Sequence, residues 1–304
     1  MTRAHWITIP RQAATHTRRD RIIASMASQS ESTRITLRTL RRWAREGLRF
    51  AMLTCYDATT ARWLWRGGVR TLLVGDTAAQ MILGHDSTLP IRMDFLVTLT
   101  EAVRRGAPDV FLMADMPFGS YQCGDDAAVA HAMRFLAEGG ADVVKLEVDE
   151  SFAPLVDRLS HAGVPVVAHV GSRPQQVRHE GGYHAAGRTQ AEADHIVATG
   201  RMMLEAGADM LLIEAVPNEV SRSVVEAATT GDQFVPVIGC GAGPACHGHV
   251  IVLHDLLGLT DWQPPFAPAM TSIGRQIADT ARKWVEKVER GEYLKDDHPY
   301  RMRS

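Results

Sequence analysis

Six ionisable side chains end or directly follow short apolar runs in this 304-residue sequence. They are Asp76, Asp115, Lys145, Glu147, His169 and Glu214. Apolar runs of this length beside glycine or proline are typical of buried parallel strands. The carboxyl ends of such strands meet on one side of the sheet, where catalytic side chains collect. We therefore expect the six side chains to share one site.

The residue types in this set favour metal-assisted proton transfer. Asp76, Asp115 and Glu147 offer the oxygen ligands that suit Mg²⁺. A 2-oxo acid can chelate such an ion through its carboxylate and keto oxygens, and the metal then stabilises an enolate. Lys145 would offset the negative charge. Glu214 lies at the edge of an apolar run, so we expect a raised pKa and a role in removing the proton next to the carbonyl.

Each of these residues also has a simpler interpretation. An aspartate after a strand is often only the N-cap of the next helix, which applies to Asp76 and Asp115. Lys145 and Glu147 share one strand face and could form a surface ion pair. His169 alone is more often a satisfied polar residue than a ligand. Lys145 could instead be the Schiff-base nucleophile of an aldolase, although acidic neighbours disfavour that role by keeping a lysine charged.

A strand-then-helix rhythm repeats from residue 50 onward. We predict strands at Ala51–Cys55, Arg70–Val74, Val110–Ala114, Asp142–Leu146, Pro165–His169, Met210–Glu214, Val235–Gly239 and Val250–His254. Eight strands alternating with helices predict an α/β fold, a closed (β/α)₈ TIM barrel, with a doubly wound open sheet as the alternative. No GxGxxG turn follows the first strand, which counts against a Rossmann domain. A final amphipathic helix is expected over Thr271–Glu289.

Composition sets limits on domains and partners. Residues 1–34 carry six arginines against one aspartate and one glutamate, and we predict a basic, flexible extension there, followed by a single catalytic barrel domain over residues 35–304. The formal net charge of -2 gives no indication of a nucleic-acid partner. No apolar run is long enough to predict a membrane span. Four cysteines without CxxC spacing, and no apolar leader, favour a cytoplasmic location.

Several long motifs of this sequence resemble those of the ketopantoate hydroxymethyltransferase family. The most specific are GHDSTLP, ADMPF and LHDLLG, joined by GADVVKLE, GGYHAAGR, LLIEAVP and VERGEY. The resemblance runs from about Ile35 to His298. It implies a barrel of the phosphoenolpyruvate-mutase/isocitrate-lyase type. Such enzymes use Mg²⁺ and 5,10-methylenetetrahydrofolate to hydroxymethylate 3-methyl-2-oxobutanoate in pantothenate biosynthesis.

The resemblance also implies roles for individual residues. Asp76, Asp115 and Glu147 match the metal site, and Glu214 matches the proton acceptor. Contacts to the oxo acid would come from Asp76, Thr77, Asp115 and Lys145, with His169 near the substrate. The family is typically a decamer of stacked pentamers, so a homo-oligomer is expected.

The sequence departs from the family pattern around these positions. Thr77 replaces a serine, and KLEVDE replaces KLEGG, which changes Val148–Glu150. Arg173 occupies a loop at the barrel mouth, where it could pair with a second substrate carboxylate or with the folate tail. These changes leave open a divergent paralogue that acts on another 2-oxo acid. Two further alternatives are a lyase of the same barrel type, for which Cys123 would be the nearby thiol, and an inactive homologue.

Overall fold

Eight parallel strands close into a barrel in this protein. A computed structural model describes residues 34–230 and 234–292, and the barrel lies within the compact unit that begins at Ile35. Each strand pairs with the next along the chain, and the eighth pairs with the first. The strands are Phe50–Thr54 (β1), Thr71–Val74 (β2), Phe111–Asp115 (β3), Val143–Glu147 (β4), Val166–Gly171 (β5), Met210–Glu214 (β6), Val237–Cys240 (β7) and Gly248–Ile251 (β8). The predicted (β/α)₈ barrel is confirmed, and the open-sheet alternative is wrong.

Helices lie in every connection between these strands except the one from β7 to β8, and further helices precede β1 and follow β8. They are Leu37–Arg45 (α1), Ala58–Arg66 (α2), Ala78–Met81 (α3), Met93–Gly106 (α4), Asp125–Ala137 (α5), Ala153–His161 (α6), Val177–Glu180 (α7), Gln190–Glu205 (α8), Asn218–Thr229 (α9), Leu253–Leu256 (α10) and Ile273–Glu289 (α11). Short 3₁₀ turns at Glu150–Phe152 and Pro174–Gln176 follow β4 and β5. The start of α8 is fixed by a capping box, in which Thr189 accepts from the amide of Glu192 and the Glu192 side chain accepts in return.

The strands are apolar because both of their faces are covered. Every residue of β2, β3 and β4 is buried. Side chains alternate along a strand, so Asp115 lies on the same side as Phe111 and Met113, and Lys145 on the same side as Glu147. Apolar residues thus fill the lower layers of the barrel, while the polar residues reach its carboxyl end. This alternation places the ionisable side chains together at the carboxyl end of the barrel.

The eighth strand lies earlier in the chain than predicted. Val250–His254 was the expected span, but pairing with β1 runs from Gly248 to Ile251, and α10 already contains His254. The ring of Phe50 packs against Gly248, where any side chain would collide with it. The sequence did not indicate a strand at Gly248, because glycine inside a strand usually weakens it. Here the glycine allows the ring of Phe50 to approach the backbone of β8 closely.

The remaining expectations concern the chain ends and the membrane. The predicted basic extension over residues 1–34 lies outside the described residues except for Arg34. Helix α11 begins two residues later than expected, and its apolar residues Ile277, Val285 and Val288 are exposed in the single chain. Within the described parts of the chain, no helix combines the length and apolarity needed to cross a membrane.

Candidate active site

All six predicted ionisable residues line one cavity at the carboxyl end of the barrel. Its volume is about 750 Å³, and Thr77 lines it as well. Strand register sets the order of the groups, because Asp115 pairs with Lys145 and Glu147 pairs with His169 on neighbouring strands. All of the six except Glu214 are almost completely buried. The interpretation of Lys145 and Glu147 as a surface ion pair is therefore excluded.

Asp76 and Asp115 hold each other in place instead of capping helices. The amide of Asp76 donates to Asp115 Oδ2 at 3.0 Å, and Lys145 Nζ lies 3.1 Å from Asp115 Oδ1. Thr77, not Asp76, is the N-cap residue of α3, and it makes no side-chain cap bond. Burial raises the pKa of Asp115, opposed by the charge of Lys145. Both aspartates are thus positioned as site residues.

Lys145 is held in its charged form by the carboxylates around it. Burial favours the neutral amine, but the charges of Asp115, Glu147 and Asp76 outweigh it and raise the pKa of Lys145 above its usual range. A lysine of this kind stabilises negative charge, whereas a Schiff-base nucleophile needs a lowered pKa. The geometry therefore does not favour the aldolase alternative.

His169 connects Lys145 to Glu214. Lys145 Nζ lies 3.2 Å from His169 Nδ1 and must be the donor, because an ammonium has no acceptor. Burial, followed by the charge of Lys145, lowers the pKa of His169 well below its usual value, so the ring is neutral. Its proton therefore lies on Nε2, which is 3.5 Å from Glu214 Oε2. The ring turns an N–H group toward this carboxylate.

Glu214 ends β6 with a carboxyl group suited to proton transfer near neutral pH. Burial raises its pKa to about 7, against the charge of Lys145. Cys240 is its register partner on β7, and the thiol hydrogen bond favours the charged carboxylate. The next residue, Ala215, has a φ of 49°, in the left-handed region that favours glycine. Such strain is concentrated at functional sites, where the surrounding structure holds it in place.

Gln175 is a site residue that the sequence analysis did not identify. Its amide donates to Glu147 Oε2 at 2.9 Å, and its Nε2 donates to Asp76 Oδ2 at 2.9 Å and to Met116 O at 3.0 Å. Its own Oε1 accepts from Tyr121 at 2.7 Å. Gln175 thus contacts two of the predicted metal ligands, Glu147 through its backbone N–H and Asp76 through its side-chain amide. No charge or periodicity marks a lone glutamine in a loop, so only three-dimensional structure could find it.

Tyr56 is a second residue that sequence reasoning missed. Its hydroxyl lies 2.7 Å from Thr77 Oγ1, and the ring is buried. Burial raises the pKa of Tyr56, so the phenol keeps its proton. Tyr56 therefore holds the hydroxyl of Thr77, the residue at the position of the family's serine. Tyr56 follows the first strand, where the apolar run gave no sign of chemistry.

Arg173 has a partner within the protein. Its guanidinium lies 2.6 Å from Asp149 Oδ2, and both side chains are partly buried. Asp149 belongs to the segment after Glu147 that departs from the family pattern, so two unusual residues satisfy each other. Arg173 is absent from the lining of the cavity, whereas its neighbours Ser172 and Pro174 are present. This pairing joins two loops, and the expected contact of Arg173 with a substrate stays a prediction.

The acidic residues fit a divalent cation by charge more than by arrangement. Among residues 34–230 and 234–292, no three His, Cys, Asp or Glu side chains lie close enough together to hold a metal ion. Mg²⁺ nevertheless needs only one or two carboxylates and keeps several waters. Burial raises the pKa of Glu147 and Asp115, so a cation would stabilise their charged forms.

The barrel and its mouth define the class of protein. The barrel is closed and parallel, and its strand ends carry buried acids, a charged lysine and a glutamate with a pKa near neutrality. This arrangement is typical of (β/α)₈-barrel enzymes that act on small molecules.

Comparison with known proteins identifies the family within this class. The sequence model described as ketopantoate hydroxymethyltransferase matches residues 34–296. The chain belongs to this family. It is 40% identical over 273 residues to the 3-methyl-2-oxobutanoate hydroxymethyltransferase of Mycobacterium ulcerans (strain Agy99), covering 90% of each chain. The enzyme of the same name from Syntrophus aciditrophicus (strain SB) is 37% identical over 276 residues, covering 90% of this chain and 100% of the relative.

Solved structures with the same fold belong to a wider group. One is 2,3-dimethylmalate lyase, a PEP mutase/isocitrate lyase superfamily member, with a TM-score of 0.56 at 18% identity, covering 87% of this chain and 92% of that one. Another is the phosphoenolpyruvate phosphomutase of Streptomyces platensis subsp. rosaceus, with a TM-score of 0.57 at 14% identity, covering 88% and 92%. At this identity the likeness concerns the fold, and it confirms the predicted barrel type.

Proposed function

We propose that this protein transfers a hydroxymethyl group from 5,10-methylenetetrahydrofolate to 3-methyl-2-oxobutanoate, giving 2-dehydropantoate for pantothenate biosynthesis. Family membership supports the reaction, since the relatives above carry the name of this activity. The observation that carries the proposal is Glu214, a carboxylate of raised pKa beside the N–H of His169 and within the field of Lys145.

The site residues divide the work of this reaction. Glu214 would remove the C3 proton of the oxo acid, and Lys145 would stabilise the charge that develops on the keto oxygen. The C3 carbon then bonds to the methylene carbon of the donor. Tetrahydrofolate leaves, and water supplies the hydroxyl oxygen, so the atoms balance. Neutral His169 would keep its Nε2 proton directed at the Glu214 carboxylate, which orients the base.

The remaining side chains would hold the oxo acid and a metal ion. Asp76 and Asp115 would bind Mg²⁺, with Glu147 completing the site. A bound Mg²⁺ would supply Lewis-acid stabilisation of the enolate. Thr77, held by Tyr56, would donate to the substrate carboxylate, and Asp76, Asp115, Lys145 and His169 would surround the oxo group. Buried walls around these groups exclude water and strengthen each electrostatic interaction.

Two alternatives give different experimental results. A divergent paralogue would act on another 2-oxo acid, which the unusual Thr77 allows. A lyase of the same barrel type would split its substrate without any folate. Family membership favours the transferase over the lyase.

Deuterium wash-in from D₂O, followed by NMR, tests the proposal. Purified protein, Mg²⁺ and a panel of 2-oxo acids would be compared with and without 5,10-methylenetetrahydrofolate. We expect exchange at C3 and product with 3-methyl-2-oxobutanoate, both lost in Glu214→Gln. Exchange with a different acid only would keep the mechanism and change the substrate. Absence of exchange with every acid would contradict the assignment of the base.

The family resemblance supports a proposal on assembly, and the cysteines support one on location. We propose a homo-oligomer, consistent with the exposed apolar residues of α11. All four cysteines are free thiols, as a reducing compartment requires, and we propose the cytoplasm.

A further inference from the structure

The cavity has an aromatic rim that the proposed chemistry does not use. Tyr183, Trp262 and Phe266 line its mouth, and each of these rings is substantially exposed. Trp262 is 71% exposed, an unusual degree for the largest side chain. The acidic residues at the bottom of the cavity, Asp76, Asp115 and Glu147, would bind the oxo acid and the metal ion. A second, apolar and planar surface at the same mouth indicates a ligand with a flat ring.

The loop that carries Trp262 is held in a fixed conformation. Thr260 Oγ1 donates to Asp255 Oδ1 at 2.8 Å, and the side chain of Asp255 is nearly buried. Gln263 Nε2 then donates to the carbonyl of Thr260 at 3.0 Å. These bonds stabilise the loop on both sides of residue 262. The exposed indole is therefore presented by a braced segment, which reduces the entropy lost when a ligand binds.

The rim adjoins the proposed base. The ring of Phe266 covers Gly241, where an added Cβ would lie 2.6 Å from Phe266 Cδ1. Gly241 has a φ of 60° and follows Cys240, the register partner of Glu214. A ring stacked against this rim would therefore lie beside the strand ends that carry the chemistry.

We propose that Trp262 and Phe266 bind the tetrahydropterin ring of the one-carbon donor by stacking. The inference rests on the proposed function, which requires a donor of this chemical class in the same cavity as the oxo acid. A pterin is flat and heteroaromatic, and aromatic side chains bind such rings through their faces. The position of Phe266 beside Gly241 brings the donor's methylene carbon to the side of the cavity that holds Glu214.

Calorimetric titration of the full-length protein with 5-formyltetrahydrofolate, a stable analogue of the donor, tests the inference. We expect Trp262→Ala to raise the Kd about tenfold and Trp262→Phe to restore most of the affinity. Trp63 is 64% exposed on α2, away from the cavity lining, so Trp63→Ala is the matched control and should leave the Kd unchanged. p-Aminobenzoylglutamate, which lacks the pterin, should bind Trp262→Ala and the wild type equally.

Each other outcome overturns the inference. Equal 5-formyltetrahydrofolate affinity in the wild type and in Trp262→Ala would show that Trp262 does not bind the donor. Deuterium exchange by the wild type without folate tests the proposed function separately. A wild type that exchanges the oxo-acid proton but does not bind 5-formyltetrahydrofolate would overturn the pterin site and leave the base intact. If Trp262→Ala changes only the sedimentation of the oligomer, the rim is a contact between copies.

Discussion

At the scale of single residues, Gln175 has the widest influence on the site. It donates to Asp76 and to Glu147 and accepts from Tyr121, so it fixes the distance between two acidic side chains of like charge. Its side-chain amide donates to Asp76 and its backbone N–H donates to Glu147, so both carboxylates are stabilised without added charge. Partners of this kind orient metal ligands, and their removal typically weakens metal binding 10–100-fold.

Replacing Gln175 should therefore weaken metal binding more than it weakens the fold. We expect Gln175→Leu to raise the Kd for Mg²⁺ or Mn²⁺ about tenfold or more, because Asp76 loses its donor. Calorimetry, and the electron paramagnetic resonance signal of free Mn²⁺, would measure this. Gln176→Ala is the matched control on the adjacent residue. Equal metal affinity in the two variants would mean that Gln175 only packs the loop.

The raised pKa of Glu214 has a consequence for stability. The fold favours the protonated acid, so this contribution is complete below pH 4.5, the ordinary value, and is lost as the pH rises through about 7. Glu214→Gln stays neutral throughout. We expect the variant to unfold with the same free energy as the wild type below pH 4.5 and to be more stable above pH 7, by on the order of 2 kcal/mol.

Urea unfolding at several pH values in the presence of a chelator measures this difference. The chelator is needed because a bound cation would favour the charged carboxylate. A difference that does not change with pH would show that the carboxyl group titrates normally in the folded protein.

Most chemical groups at this scale, and the raised pKa of Glu214, could be predicted from the sequence, whereas the tautomer of His169 could not. Asp76, Asp115 and Glu214 were identifiable because parallel strands place their carboxyl ends at one mouth. The tautomer of His169 depends on Lys145, which contacts it from the neighbouring strand. Local sequence carries no information on such a contact.

At the scale of elements, an ion pair between Arg173 and Asp149 joins the loops after β4 and β5. The loop after β4 follows Glu147, and the loop after β5 contains Gln175. The ion pair therefore stabilises the segments next to these two site residues. Arg173 and Asp149 are both departures from the family pattern. A change at one position without the other would leave a partly buried charge without its partner.

The two charges should therefore be coupled in stability measurements. We expect a double-mutant cycle of Arg173→Ala and Asp149→Ala to give a coupling energy of about 1 kcal/mol, reduced by high salt. The Michaelis constants for oxo acid and folate should remain close to those of the wild type in Arg173→Ala. A large rise in either constant would instead restore the expected role of Arg173 in substrate binding.

The elements also show where pattern reading fails. The start of α8 has a local signal in the sequence, because Thr189 followed three residues later by Glu192 is the pattern of a capping box. The predicted position of β8 was wrong because the strand begins at Gly248. This glycine fits there because it packs against the ring of Phe50, about 200 residues earlier in the chain. For α11, periodicity correctly indicated a helix, but it could not tell which surface the apolar residues would meet.

At the scale of the whole molecule, α11 presents apolar residues to solvent in the single chain. Ile277 is 56% exposed and Val285 is 51% exposed. We expect Val285→Asp to shift the assembly toward smaller species, because a charge buried in an apolar contact is costly. Light scattering after size-exclusion chromatography measures the mass. Lys283→Ala, a substitution at an exposed polar position of the same helix, is the control. An unchanged mass in Val285→Asp would place any subunit contact elsewhere.

The seam between β1 and β8 has a consequence for how the protein is made. The strands that meet there are about 200 residues apart in the chain, so barrel closure is a slow, non-local step. All six ionisable groups leave the ribosome before β8 does. Until the residues of β8 emerge, β1 and β7 remain open edges that can pair with other chains. Translation that stops before residue 251 should therefore yield aggregation-prone fragments with no partial activity.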